Sequence, residues 1–164
     1  MKELYALNIN IDPALDIIRH WEGYRGTAYK DPVGVWTIGY GTTKYMDGTT
    51  VKSGDTCTKE QATHWLKHDV MNTRVAHILK VCRVPLENNE LCALTSLVYN
   101  IGVGNFDKST LLRMLNQGKP RYEVADQFLM WVHGGGRVLP GLVSRRKDER
   151  GLFLSREAHS LELV

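Results

Sequence analysis

Glu22, Asp31 and Thr37 are the residues of this chain whose types and spacing suit a reaction. They fall within one short stretch, from Trp21-Glu22-Gly23 through Tyr29-Lys30-Asp31 to Thr37-Ile38-Gly39-Tyr40-Gly41. Two carboxyl groups in different local settings are what acid–base cleavage of a glycosidic bond requires. One must be held as a protonated acid, the other as an ionised base or nucleophile.

The elements that must position them can be read from the same stretch. Asp12 is the expected N-cap of a helix and Pro13 its first residue. Ala14, Leu15, Ile17, Ile18 and Trp21 recur at helical spacing, and Gly23 ends the run. Glu22 then sits in the last turn. There the negative end of the helix dipole disfavours an ionised carboxylate, as a general acid requires, and Trp21 and Tyr24 add desolvation. Asp31-Pro32-Val33-Gly34 predicts a tight turn between strands at 27–30 and 35–40. A turn Asp is solvated and ionised. Thr37 shares a strand face with Val35 and Gly39, where its hydroxyl would hold a water against Asp31. Gly39 and Gly41 would let the backbone approach a polymeric ligand closely. Each residue alone also has a plain structural reading: a solvated helix end, turn chemistry, β-propensity. Their combination carries the chemical one.

The run from Trp21 to Gly41 resembles the signature of the phage-type lysozymes, glycoside hydrolase family 24. Ala93-Leu94-Thr95-Ser96-Leu97-Val98-Tyr99-Asn100-Ile101-Gly102 resembles that family's central helix, and Ser109-Thr110-Leu111-Leu112 with Leu115-Asn116 the next one. Gly135-Gly136, Leu139-Pro140-Gly141-Leu142, Arg145-Arg146 and Glu149-Arg150 resemble the C-terminal segment of endolysins of lambda-like phages. The resemblance spans roughly residues 14–154. It implies Glu22 as general acid, Asp31 as second carboxylate and Thr37 as the water-positioning hydroxyl. The implied reaction is hydrolysis of the β-1,4 bond between N-acetylmuramic acid and N-acetylglucosamine in peptidoglycan, with inversion. It also implies a basic neighbour for the acid, for which Arg145 and Arg146 stand as alternatives. A cation there would oppose the helix-end effect on Glu22.

The chain has 21 basic and 18 acidic residues, a formal net charge of +3. That balance gives mild attraction to an anionic wall and no nucleic-acid signal. Cys57, Cys82 and Cys92 suit a reducing compartment better than a disulfide framework. His64 and His68 are an i, i+4 pair, but Trp65 stands where a zinc protease carries its Glu, so no metal and no cofactor are expected. No apolar run is long enough to span a membrane. Residues 1–12 lack the basic and apolar regions of a signal peptide. A phage endolysin of this kind is expected to accumulate in the host cytoplasm. It would reach the wall when a separate pore protein opens the membrane, and a monomer is expected.

The remaining periodicities predict helices at about 58–81, opened by the capping box Thr58-Lys59-Glu60-Gln61, and at 86–100, 108–116, 121–133 and 141–154. Leu91, Leu94, Leu97, Val98 and Ile101 form the buried face of the second of these. Residues 134–141 are read as a mobile rim loop or an inter-helix turn, and 155–164 as a tail unlike a cationic membrane helix. The fold class is α+β, predominantly helical and lysozyme-like. One catalytic domain, 1–164, would have a β-rich lobe at about 24–56 and a helical lobe at about 58–155. No wall-binding module has room. A cleft between the lobes is the expected substrate site, lined by Tyr29, Tyr40, Tyr99 and Asn100, with core packing as the other reading of Tyr99. Two other functions are alternatives. A lytic transglycosylase needs one acid/base and is expected to lack the second carboxylate. A silent wall-binding module has no need of Glu22, Asp31 and Thr37 all together.

Overall fold

A computed structural model describes residues 8–155, so the readings of 1–7 and of 156–164 lie outside the described residues. Helix α1 (Asp12–Glu22) leads into a hairpin of β1 (Arg25–Lys30) and β2 (Trp36–Gly39). The cap differs from expectation: Ile11 occupies the N-cap without a side-chain bond, and Asp12 begins the helix. The Asp12 amide donates instead to Asn10 Oδ1 at 3.1 Å.

The hairpin is antiparallel, with Tyr29 opposite Thr37 and Lys30 opposite Trp36, and it is irregular between Arg25 and Tyr29. Its three-residue loop, Pro32-Val33-Gly34, closes through Gly34 N to Asp31 O and Asp31 N to Val35 O, both 2.9 Å. This is the common geometry of a tight turn followed by a left-handed glycine. The returning chain adds to β1 through Ala28 N to Asp55 O and Cys57 N to Gly26 O.

The predicted 58–81 helix is three pieces: α2 (Lys59–Val70), a π-helical segment (Met71–Val75) and α3 (Ala76–Val81). The capping box at Thr58 and Gln61 forms as expected. The buried residues Ala62, Leu66, Val70, Val75 and Ile78 explain the interruption. The step from Val70 to Val75 is one residue longer than a helical turn, and the wider π turn absorbs the extra residue while keeping both valines on the core side.

Helix α4 (Asn88–Ile101) is the central element, buried from Asn89 through Val98, and it packs most extensively against α8 (Pro140–Leu154) and α1. Gly102 ends it. A short α5 (Val103–Asp107), which periodicity did not predict, precedes α6 (Thr110–Asn116). The 121–133 prediction resolves into α7 (Arg121–Asp126) and a 3-10 segment (Gln127–Met130). The following stretch is a miniature antiparallel hairpin, β3 (His133–Gly134) and β4 (Arg137–Val138). Phe106, Phe128 and Phe153 are fully buried around α4, each contributing about 1.5–3 kcal/mol by leaving water. The architecture is α+β and lysozyme-like: mostly helix, with two small hairpins.

Candidate active site

Glu22 is the last residue of α1, and its side chain is about one-third exposed, at 31 %. Its Oε1 accepts Nη1 of Arg145 at 2.9 Å. The Arg145 side chain is 4 % exposed, so a buried cation from the last helix fixes a carboxylate at the surface. Of the two arginines left open by the sequence, the structure selects Arg145. Its Nη2 donates to the Ser96 carbonyl at 3.2 Å and its Nε to Glu149 Oε2 at 3.3 Å. Arg146 turns the other way, donating from Nη2 to Asn100 Oδ1. Trp21 braces the same helix end, its Nε1 donating to Asp148 Oδ2 at 3.1 Å.

Asp31 and Thr37 are joined through one residue. Asp31 Oδ1 accepts the amides of Val33 at 3.0 Å and Val35 at 2.8 Å. Thr37 Oγ1 donates to the Val35 carbonyl at 2.9 Å. Val35 therefore ties both side chains to the same turn. Both amide bonds fall on Oδ1, and Oδ2 receives none from a described residue. The Thr37 hydroxyl has given its proton to the backbone, so towards a water it can act only as an acceptor.

The four expected lining residues divide. Asn100 is exposed at the end of α4 and borders a concavity of about 450 Å³ with Ile101, Asn105, Trp131, His133 and Leu142. Tyr29 is half-buried, one face covered by the Arg25 guanidinium 4.6 Å from its centroid. Tyr40 is 7 % exposed and packs in the core beside Tyr24, bordering a concavity of about 530 Å³ with Arg19, Lys59 and His64. What Tyr40 supplies is its carbonyl, which accepts Tyr99 Oη at 2.8 Å. Tyr99 is packed against the core, with the Arg74 guanidinium 4.8 Å from its ring centroid. Burial first, then the Glu22 charge, pushes the Tyr99 hydroxyl above the usual tyrosine range. It stays a neutral donor joining α4 to the chain leaving β2.

Gly39 and Gly41 also have a packing role within the protein. A Cβ on Gly39 would lie 2.9 Å from the Cβ of Ala62, and one on Gly41 would lie 2.9 Å from Tyr99 Oη. The close approach that demands glycine is made by the protein's own α2 and α4. Sequence reasoning missed Glu149 as part of this assembly. Its signal was present as the spacing of Arg145 and Arg146 to Glu149, i, i+4 and i, i+3, which on an exposed helix face reads as ordinary ion pairing.

The model of the family described as Phage lysozyme matches residues 19–149. The endolysin of Salmonella phage P22 is 44 % identical over 138 residues, covering 84 % of this chain and 92 % of that protein. The SAR-endolysin of Enterobacteria phage P21 is 39 % identical, covering 81 % of this chain and 77 % of that one. Among solved structures, a P22 lysozyme variant superimposes with a TM-score of 0.80 at 39 % identity, over 90 % of this chain and 99 % of the other. The muramidase domain of SpmX from Asticaccaulis excentricus gives 0.79 at 31 % identity, over 91 % and 100 %. The matched span runs from the helix that carries Glu22 to the helix that carries Arg145 and Glu149, and the chain belongs to the phage lysozyme family.

Proposed function

We propose that this chain is an endolysin whose single catalytic domain hydrolyses the β-1,4 bond between N-acetylmuramic acid and N-acetylglucosamine, with Glu22 as general acid, Asp31 as general base and Thr37 positioning the water. The observation that carries this reading is the contrast between the two carboxylates: Glu22 on a buried arginine at a helix end, Asp31 on two turn amides. Glu22 gives a proton to the leaving glycosidic oxygen as that bond breaks. A water then donates one hydrogen to Asp31 Oδ2 and the other to Thr37 Oγ1. Its lone pair is left free to attack the anomeric carbon from the opposite face, inverting the configuration. Thr37 is 4 % exposed, so its hydroxyl is held largely out of bulk solvent. At the close of the cycle Asp31 has gained the proton that Glu22 lost, and exchange with solvent restores both.

Asn100 and the concavity it borders, together with Tyr29, are the proposed contacts for the glycan. No helix among the described residues is long and apolar enough to cross a membrane. In our reading the protein acts as a monomer, without metal or cofactor. It gathers in the host cytoplasm and reaches the wall once a separate pore protein has opened the membrane.

The test is digestion of purified peptidoglycan with mass spectrometry of the soluble fragments, Glu22→Gln run beside the native protein, and NMR of the first product anomer. Reducing N-acetylmuramic acid ends of inverted configuration, absent with the variant, are expected. Fragments lighter by one water would be anhydro products, and Asp31 would lose its role as base.

A further inference from the structure

Glu149 stands in α8 with its side chain fully buried, and the reaction above gives it no task. Its two oxygens are divided between two arginines. Oε2 takes Arg145 Nε at 3.3 Å and also accepts Ser96 Oγ at 2.5 Å. Oε1 lies 3.2 Å from Arg146 Nη1. Each arginine then reaches a different part of the site, Arg145 to Glu22 and Arg146 to Asn100. Four charges thus alternate in a row from the interior to the surface: Arg146, Glu149, Arg145, Glu22.

We propose that Glu149 is a positioning residue that sets Glu22 and Asn100 through the two arginines and keeps Arg145 compensated whenever Glu22 carries its proton. The proposal rests on the reading of Glu22 as the general acid. Such an acid must be protonated at the start of each turnover. A neutral Glu22 no longer balances Arg145, whose side chain is almost entirely out of water. Glu149 supplies the remaining anion at 3.3 Å. Without it, Arg145 and Arg146 would be two buried cations whose cheapest relief is an ionised Glu22. Glu149 therefore makes the protonated acid compatible with an arginine beside it.

Among the described residues, the charged and titratable groups facing this row come from three helices and the segment beyond Tyr99. Arg145 and Arg146 come from α8 itself, Glu22 from α1 and Tyr99 from α4. Arg74 and Asp69 stand beyond Tyr99. Burial pushes the Glu149 carboxyl up, with Arg146, Ser96 and Arg145 pulling it back, and burial pushes the Arg146 guanidinium down to about 10. Among the described residues Arg146 Nε, Arg146 Nη1 and Glu149 Oε1 find no hydrogen-bond partner, so Oε1 is held to its arginine by charge alone.

The experiment measures kcat and KM on peptidoglycan against pH for the full-length protein and for Glu149→Gln, Glu149→Asp and Glu22→Gln, with circular dichroism to verify folding. In folded Glu149→Gln the alkaline limb of kcat is expected to move down by about one pH unit, a tenfold easier ionisation of the acid. Glu149→Asp, which keeps the charge, is expected to restore the limb. An unmoved limb in folded Glu149→Gln would overturn the proposal, because a merely structural role lowers stability without shifting the profile in this direction. Should Glu149→Gln not fold, Ser96→Ala removes the neutral donor from the same Oε2. A smaller shift of the same sign supports the proposal and an unchanged limb overturns it. Full activity in Glu22→Gln would instead defeat the underlying acid assignment, and this inference with it.

Discussion

Arg145 donates from Nη1 to Oε1 of Glu22 at 2.9 Å across 123 positions of sequence, so α8 reaches back to the end of α1. The cation is nearly enclosed and the carboxylate is partly open. Removing the arginine leaves the fully buried Glu149 carboxylate with half its compensation. Breaking a buried pair in this way costs about 3–5 kcal/mol. Arg145→Met should therefore lower the melting temperature by roughly 10 °C as well as the activity. The exposed pair Arg150–Asp126, 2.8 Å apart with side chains 35 % and 57 % exposed, is the control. Arg150→Ala should cost about 1 kcal/mol or less. Thermal melts of both variants under one buffer check the contrast.

Thr37→Val keeps the shape of the side chain and deletes only the hydroxyl. The lost bond to Val35 O is worth about 1 kcal/mol, so the variant should fold. Its kcat should fall roughly ten- to hundredfold from misplacing the water, with KM little changed. Equal loss in kcat and binding would point to a collapsed hairpin instead.

Gly41 has φ +102° and sits against Tyr99 Oη. Gly41→Ala is strained twice, by its backbone and by the hydroxyl it would strike, and should cost about 1–3 kcal/mol. Tyr99→Phe removes only the bond to Tyr40 O and should cost about 1 kcal/mol. In Gly41→Ala combined with Tyr99→Phe, the two costs should sum to less than their separate values, since both act on one contact. Denaturant titration of the three variants measures the coupling.

Tyr45 donates to Asp55 Oδ2 at 2.7 Å, and burial, then that carboxylate, pushes its hydroxyl up to about 12. A raised folded value means the contact stabilises the protein fully below the unfolded tyrosine value of about 10 and is lost as pH rises towards the folded one. Asp55 moves oppositely. The Lys52 amide first, then Tyr45, holds its carboxyl below the usual range, so its contribution is present above the unfolded aspartate value and disappears as pH falls through the lowered one. Tyr45→Phe should flatten the loss of melting temperature between about pH 10 and 12 relative to the native chain.

The parts of the fold that local rules dictate were readable. Gly23 stops α1, Thr58 and Gln61 cap α2, and Asp31-Pro32-Val33-Gly34 makes the hairpin turn. The π segment was written in the wide step from Val70 to Val75, but apolar Met71 next to Val70 masked it as continued periodicity. The hairpin at His133–Val138 has too few residues to show an alternation. At the site, Glu22, Asp31 and Thr37 stood out because their types are chemical and their stretch is short. The burial of Tyr40 was not legible, because an aromatic beside glycines looks alike whether it faces a sugar or the core. Glu149 was invisible for a related reason: sequence gives its spacing to two arginines but not its burial, and burial turns an ordinary helix pair into a shared counter-ion.

Asn89, near the start of α4, donates from Nδ2 to the carbonyls of Leu152, Phe153 and Ser155 at 3.2, 3.0 and 2.6 Å, clasping the end of α8. The ribosome makes Glu22, Asp31 and Thr37 early and that last turn late. Arg145 rides on that same late helix, so Glu22 gains its buried cation only once α8 is in place.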